Sequence, residues 1–251
     1  MGNRSNLLLV LGLYCMEGIA APTCPALEGS QDIGGRPTIR VCNVAQVDAA
    51  ILHQAKQMAG QIFLQTGIEL RWMDCLGRGN DASADGRPPA THEIVLRIIR
   101  QTKQAIDATG QFVAGQAIRP APEAGSGMIS IFYERTEMVA EQLRYQYPEL
   151  KVEATHGIVL GHLMAHEIGH LLLPTTAHAA AGIMKAQLDS RDWGQAVRGV
   201  LRFTQKESDL IRQGLQKTAT TGTGPTEDQT PQGNRKKMHA LRPLNLNFER
   251  L

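Results

Sequence analysis

From residue 38 onward, short apolar runs alternate with longer amphipathic stretches. "TIRVCNV" reads as a strand. In the next segment, "QVDAAILHQAKQMAGQIFLQTG", the apolar residues Val47, Ile51, Ala55, Met58 and Ile62 recur at helical spacing, and Gly67 is placed to cap the helix C-terminus. "IELRWMDC" alternates and predicts a second strand, so a β-α-β unit with a parallel, right-handed crossover opens the domain. Residues 76–90, rich in Gly, Asp and Pro, predict a loop. "EIVLRII" and "GMISIFY" predict two more strands separated by a variable region, and "ERTEMVAEQLRYQ" predicts a short helix. A longer helix is expected from about Thr155 to Leu173, stopped by Pro174. The last helix begins near Thr204, where "TQKE" forms a capping box between Thr204 and Glu207, and Leu210, Ile211 and Leu215 supply its apolar face.

The two ends of the chain break this pattern. "MGNRSNLLLVLGLYCMEGIAAPTC" places Arg4 before an apolar run, followed by the small residues Gly18, Ala20 and Ala21, which is the order of a secretory signal. Residues 1–20 are therefore expected to be a signal peptide, 21–37 a polar linker, 38–217 the folded domain, and 218–251 a disordered, low-complexity tail. A secreted or periplasmic location follows as an expectation. Cleavage near Ala20 leaves Cys24, Cys42 and Cys75, of which two can pair in an oxidising compartment; the sequence does not select the two. With 251 residues and a formal net charge of +2, nothing calls for a nucleic-acid partner. No apolar run reaches the roughly 18 residues of a membrane span.

The chemistry is concentrated in "HLMAHEIGHLLLPTTAHAAAGIM", residues 162–184. His166 and His170 lie one helical turn apart, so both imidazoles project from one face, and a rigid helix fixes two zinc ligands at once. Glu167 stands roughly 100° round the helix from His166, which suits a base acting on water rather than a ligand. Leu160, Met164, Ile168 and Leu171 fall on the opposite side, predicting a helix held from behind with its histidines facing a cleft. His162 extends the histidine stripe one turn earlier, as a group behind the ligands or at the cleft rim. The third ligand comes from outside the helix: His178, after a short turn, is assigned, with Asp189, Asp192 and Glu207 as alternatives.

"HEIGH", a third His soon after and then "GIM" resemble the metzincin metallopeptidases, in which H-E-x-x-H-x-x-G-x-x-H is followed by a Met-turn. Met184 lies 18 residues after His166, the spacing of matrix-metalloproteinase-like members. Departures are specific: Leu173 stands at the Gly position, Thr176 at the third-His position, and His178 makes the pattern H-E-x-x-H-x7-H. Ala186, two residues after Met184, replaces the Met-turn Tyr of some metzincins. Residues 38–216 also resemble a group of secreted acidobacterial proteins through "AHEIGHLLL", "HxxxGIM" and a later "FTxxxxxxIR". The resemblance implies an α+β metzincin-like fold: a mixed twisted sheet, a long helix in the N-terminal half, a zinc-binding helix, a Met-turn and a C-terminal helix. It further implies Zn2+ as cofactor, a peptide or protein substrate, "GMISIFY" as the edge strand that pairs with that substrate, and Met184 as a hydrophobic floor beneath the metal.

Together these readings point to a zinc metallopeptidase with His166, His170 and His178 as ligands and Glu167 as general base. The competing readings are a zinc-binding extracellular or periplasmic protein without peptidase activity, and an interaction domain without metal. Oligomeric state is not encoded in any of these patterns.

Overall fold

A computed structural model of the chain describes residues 36–75, 93–100, 113–119, 127–175, 177–221, 239–240 and 244–245, all within one compact unit, Asp32–Leu251. The expected signal peptide, most of the linker, the loop at 76–90 and Thr176 lie outside the described residues. The fold is α+β. Its strands are β1 (Thr38–Asn43), β2 (Arg71–Asp74), β3 (Glu93–Ile99), β4 (Val113–Arg119), β5 (Gly127–Phe132) and two short ones, β6 (His239–Ala240) and β7 (Leu244–Asn245). The helices are α1 (Ala49–Leu64), α2 (Tyr133–Gln146), α3 (Val152–Leu172), α4 (Ser190–Val197) and α5 (Gln205–Thr221).

The expected β-α-β opening is present. Asp48 accepts hydrogen bonds from the Ala50 and Ile51 amides at the start of α1, and Gly67, at φ +81°, turns the chain toward β2. β2 then pairs in parallel with β1. In that register Val41 faces Asp74, so Cys42 and Cys75 fall side by side at the next step and form a disulfide, with α-carbons 5.0 Å apart.

The sheet runs β2-β1-β3-β5-β4, with β6 and β7 on the outer side of β4. β1, β2, β3 and β5 are parallel to their neighbours within this set, and β4 is antiparallel to β5. β3 is buried at nearly every position, as a central parallel strand must be. Two expectations change here. "GMISIFY" is not an edge strand, because β5 lies between β3 and β4. The strand beyond it, β4, comes from the segment read only as a variable region. Its central residues Ala114, Gly115 and Ala117 are small and give little apolar signal, yet all three are buried.

α3 is the central helix. All residues from Thr155 to His170 are buried, so the expected split into a core face and an open cleft face is replaced by enclosure on every side. α1 packs closely on it at Gly161: a β-carbon there would stand 2.6 Å from Met58 Cβ and 2.8 Å from the Ala55 carbonyl oxygen. A larger residue would push the two helices apart and strip contacts from Leu160, Leu163 and Met164, each fully buried and each contributing about 1.5–3 kcal/mol. The tail also differs from expectation. α5 continues to Thr221, and β6 and β7 pair with β4, whose outer edge otherwise offers unmade backbone hydrogen bonds.

Candidate metal centre

α3 delivers His166 and His170, and their rings lie 4.7 Å apart, centroid to centroid. A carbonyl oxygen only accepts, so His166 donates from Nδ1 to the Ile183 oxygen at 2.7 Å and presents the lone pair of Nε2. That carbonyl belongs to a turn fixed by Gly182, at φ +75°, where a side chain would meet the Arg202 carbonyl oxygen at 2.8 Å. The same turn holds the third histidine. The Ala179 amide donates to the Met184 oxygen at 2.8 Å, and Ala179 bridges to Lys185, anchoring the chain one residue past His178.

The outcome is a convergence of three imidazoles. One ring nitrogen from each of His166, His170 and His178 lies within 4.8 Å of the others, a group that could hold a metal ion. The Nε2 atoms of His170 and His178 are 3.2 Å apart. Two nitrogens about 2.0–2.1 Å from one tetrahedral zinc stand roughly 3.3 Å apart, so the spacing fits a shared ion. Among the described residues, the buried Nε2 of His166 has no hydrogen-bond partner. A buried nitrogen left so is costly, and a metal would satisfy it. Burial pushes His166 down to about 3. It pushes His170 down to about 2, helped by the two neighbouring imidazoles and by Arg119. Both rings are therefore neutral at pH 7, the form that binds metal.

Glu167 is 0% exposed, and its carboxylate lies on the face of β4: a β-carbon at Gly115 would be 2.6 Å from its Oε1. Met184, 1% exposed, lies against Gly169, with its sulfur 2.7 Å from where a β-carbon on that glycine would be. Gly169 is the residue just before His170, so Met184 supports the helix turn that carries both ligands.

The alternative ligands have other duties. Asp189 caps α4 in a capping box with Asp192, and both pair with Lys185. Glu207 accepts from the Thr204 amide at 2.7 Å, as its capping box predicts. His162 is not on a rim: it is 1% exposed, donates from Nδ1 to the Ile158 oxygen at 2.8 Å and meets the Trp193 ring edge-on. Burial pushes it down to about 4, against the backbone of Ile158 and Leu201.

Three contributors escaped the sequence reading. They are the Ile183 carbonyl behind His166, Gly115 behind Glu167, and Arg119 at the end of β4. Arg119 Nη2 donates to the carbonyl oxygens of His170, Leu171 and Leu173 at 2.7, 3.2 and 2.5 Å. It thereby caps the C-terminal end of α3 with a cation and ties β4 to the turn that carries His170. A D-x-x-D pattern at 189–192 was the available sign of the α4 cap; no local pattern announces Arg119.

No protein-family model matches the chain, and no curated protein matches it. Among solved structures, a zinc-dependent peptidase from Methanocorpusculum labreanum is similar over 70% of this chain and 99% of its own, at 14% identity and a TM-score of 0.35.

Proposed function

We propose that this chain is a secreted or periplasmic zinc-dependent peptidase of metzincin-like design. The observation that carries the reading is the convergence of His166, His170 and His178, whose nitrogens suit one tetrahedral ion, beside the buried carboxylate of Glu167. Zinc bound there would supply a Lewis acid for a carbonyl oxygen and would lower the pKa of water toward about 7. The protein's own share is distinct. His166, fixed by Ile183, and His178, fixed through Ala179, orient the site. Glu167 takes the proton from the attacking water on its carboxylate and returns it to the departing amine nitrogen. Met184 and Arg119 hold the helix turn in place. A peptide substrate is favoured because β4 runs directly past Glu167, and an extended chain can add along its outer side in place of the short strands β6 and β7. The location is supported by the Cys42–Cys75 disulfide, a bond that persists in oxidising compartments.

A second reading, a zinc-binding protein without hydrolysis, is favoured by the enclosure of the site: His166, His170 and Glu167 are all 0% exposed. Incubating the purified protein with a broad peptide mixture separates the two. Cleavage is expected, with Glu167→Ala retaining zinc and losing about 10²–10⁴ in rate. Zinc without cleavage in the wild type supports the second reading. Cleavage unaffected by the substitution contradicts the assigned base.

A further inference from the structure

The outer edge of β4 is already occupied. β6 and β7 pair with it in antiparallel fashion: Ile118 faces Ala240, Arg119 faces His239, Gly115 faces Leu244 and Val113 faces Asn245. Between Val113 and Gly115 the register shifts, two residues of β4 being matched by one step of β7, an irregularity of the bulge type. Gly115 is also the residue on whose face the Glu167 carboxylate lies. Neighbouring strands run about 4.8 Å apart, so the backbone at Leu244 passes one strand spacing from Gly115. β4 has two edges only: β5 holds one, and β6 and β7 hold the other.

We propose that β6 and β7 are a tethered internal competitor, lying along β4 where an extended peptide substrate would lie and suppressing the activity of the full chain. This rests on the peptidase reading above and adds its regulation. The physical grounds are exclusion and tethering. A backbone hydrogen bond made to β6 or β7 is not available to an incoming strand, and a tether gives its own segment an effective concentration in the millimolar range. Among the described residues the hold is four residue pairs, in two strands of two residues each, which is a modest grip. The segment therefore lowers affinity for substrate strands without closing the site permanently, and anything that draws the tail away, a competing strand or proteolysis beyond α5, raises activity.

The test uses the full-length chain loaded with zinc, in wild-type form and with His239→Pro, Ala240→Pro, Leu244→Pro and Asn245→Pro together, which removes the amides of both short strands. Hydrogen exchange is followed at residues 113–119, and a labelled synthetic peptide spanning residues 236–248 is titrated into each protein. The proline chain is expected to exchange faster at β4, to bind the peptide about tenfold more tightly, and to cleave substrates with a KM about tenfold lower at similar kcat. If the proline chain fails to take up zinc, a Gly/Ser replacement of residues 239–245 serves instead. Equal exchange and equal peptide binding in the two proteins would overturn the proposal while leaving the peptidase reading intact. A difference in exchange and binding with no hydrolysis in either protein would uphold the tethered strand and count against the peptidase reading alone.

Discussion

Arg40 and Glu93, on the neighbouring strands β1 and β3, are 1% and 2% exposed, and their side chains meet at 2.5 and 3.0 Å. His166 and His170 are buried as deeply, and one nitrogen of each converges with one of His178 on a common point, while the other nitrogen of His166 is held by the Ile183 carbonyl. Both clusters place polar groups where water cannot reach. The first is complete: opposite charges answer each other with hydrogen bonds, and nothing further is required. The second joins three groups of one kind, which repel when protonated; when neutral, His170 and His178 meet through their Nε2 atoms and the buried Nε2 of His166 is left over. Depth of burial does not separate structure from function here. The accounting of partners does, since a buried nitrogen left without a partner at the focus of two others asks for a cation.

That contrast can be broken at either end. Replacing Glu93 by Gln takes from the buried Arg40 the carboxylate it pairs with, and stability is expected to fall by about 3–5 kcal/mol, read by denaturant unfolding. Zinc binding should persist. The apolar double replacement Arg40→Met with Glu93→Leu should recover most of the loss, because a satisfied ion pair contributes little beyond what packing gives. Equal damage from the single and double variants would show that the pair does more than satisfy itself.

The histidine cluster has the opposite sensitivity. His162, His166 and His170 are held down to about 4, 3 and 2 in the folded chain, against about 6.5 when unfolded. Below pH 6.5 the unfolded chain takes up protons that the folded chain refuses, so stability is intact above that pH and is lost as the pH falls. Each group contributes about 1 kcal/mol over this first pH unit, approaching about 1.4 kcal/mol per unit lower down, so three give about 3 kcal/mol between pH 6.5 and 5.5 in metal-free protein. His162→Gln should remove about a third of that slope while leaving zinc uptake unchanged. A flat stability profile over this range would contradict the neutral, buried cluster.

The smallest effect is local. Gly115→Ala sets a methyl group against the Glu167 carboxylate, where the distance to Oε1 would be 2.6 Å. Steady-state kinetics should show kcat reduced about tenfold through displacement of the base, with thermal stability and zinc content little changed. Wild-type kcat in this variant would mean that Glu167 moves aside freely.

Much of this was legible along the chain because periodic burial leaves periodic sequence. α1 was readable from Ile51, Ala55 and Ile62, α5 from its Thr204–Glu207 cap, and β3 from the β-branched and apolar residues of "EIVLRII". β4 was not, because it is built from the small residues that let Glu167 lie against its backbone. The same closeness that makes it useful erases its apolar signature. α3 was recognised as a helix, but its alternation of Gly, Ala and His concealed that all of its faces are covered. At the candidate metal centre, His166, Glu167 and His170 could be named from helical spacing, His178 was chosen among several candidate third ligands, and Met184 came from the resemblance to metzincins. Their supports could not, since the Ile183 carbonyl and the Arg119 guanidinium act through tertiary contacts with no local pattern. The partner of Cys42 also depended on strand register, which composition does not carry.

His178 is the residue that joins the helix to the rest of the proposed site, and its role is the central claim. Metal content per chain, measured by atomic spectroscopy after dialysis against limiting zinc, tests it directly in the wild type, His178→Ala and His162→Gln. One tightly held zinc is expected in the wild type and in His162→Gln, with affinity lowered at least a hundredfold in His178→Ala. Zinc held equally well by His178→Ala, or no zinc in the wild type, would contradict the account.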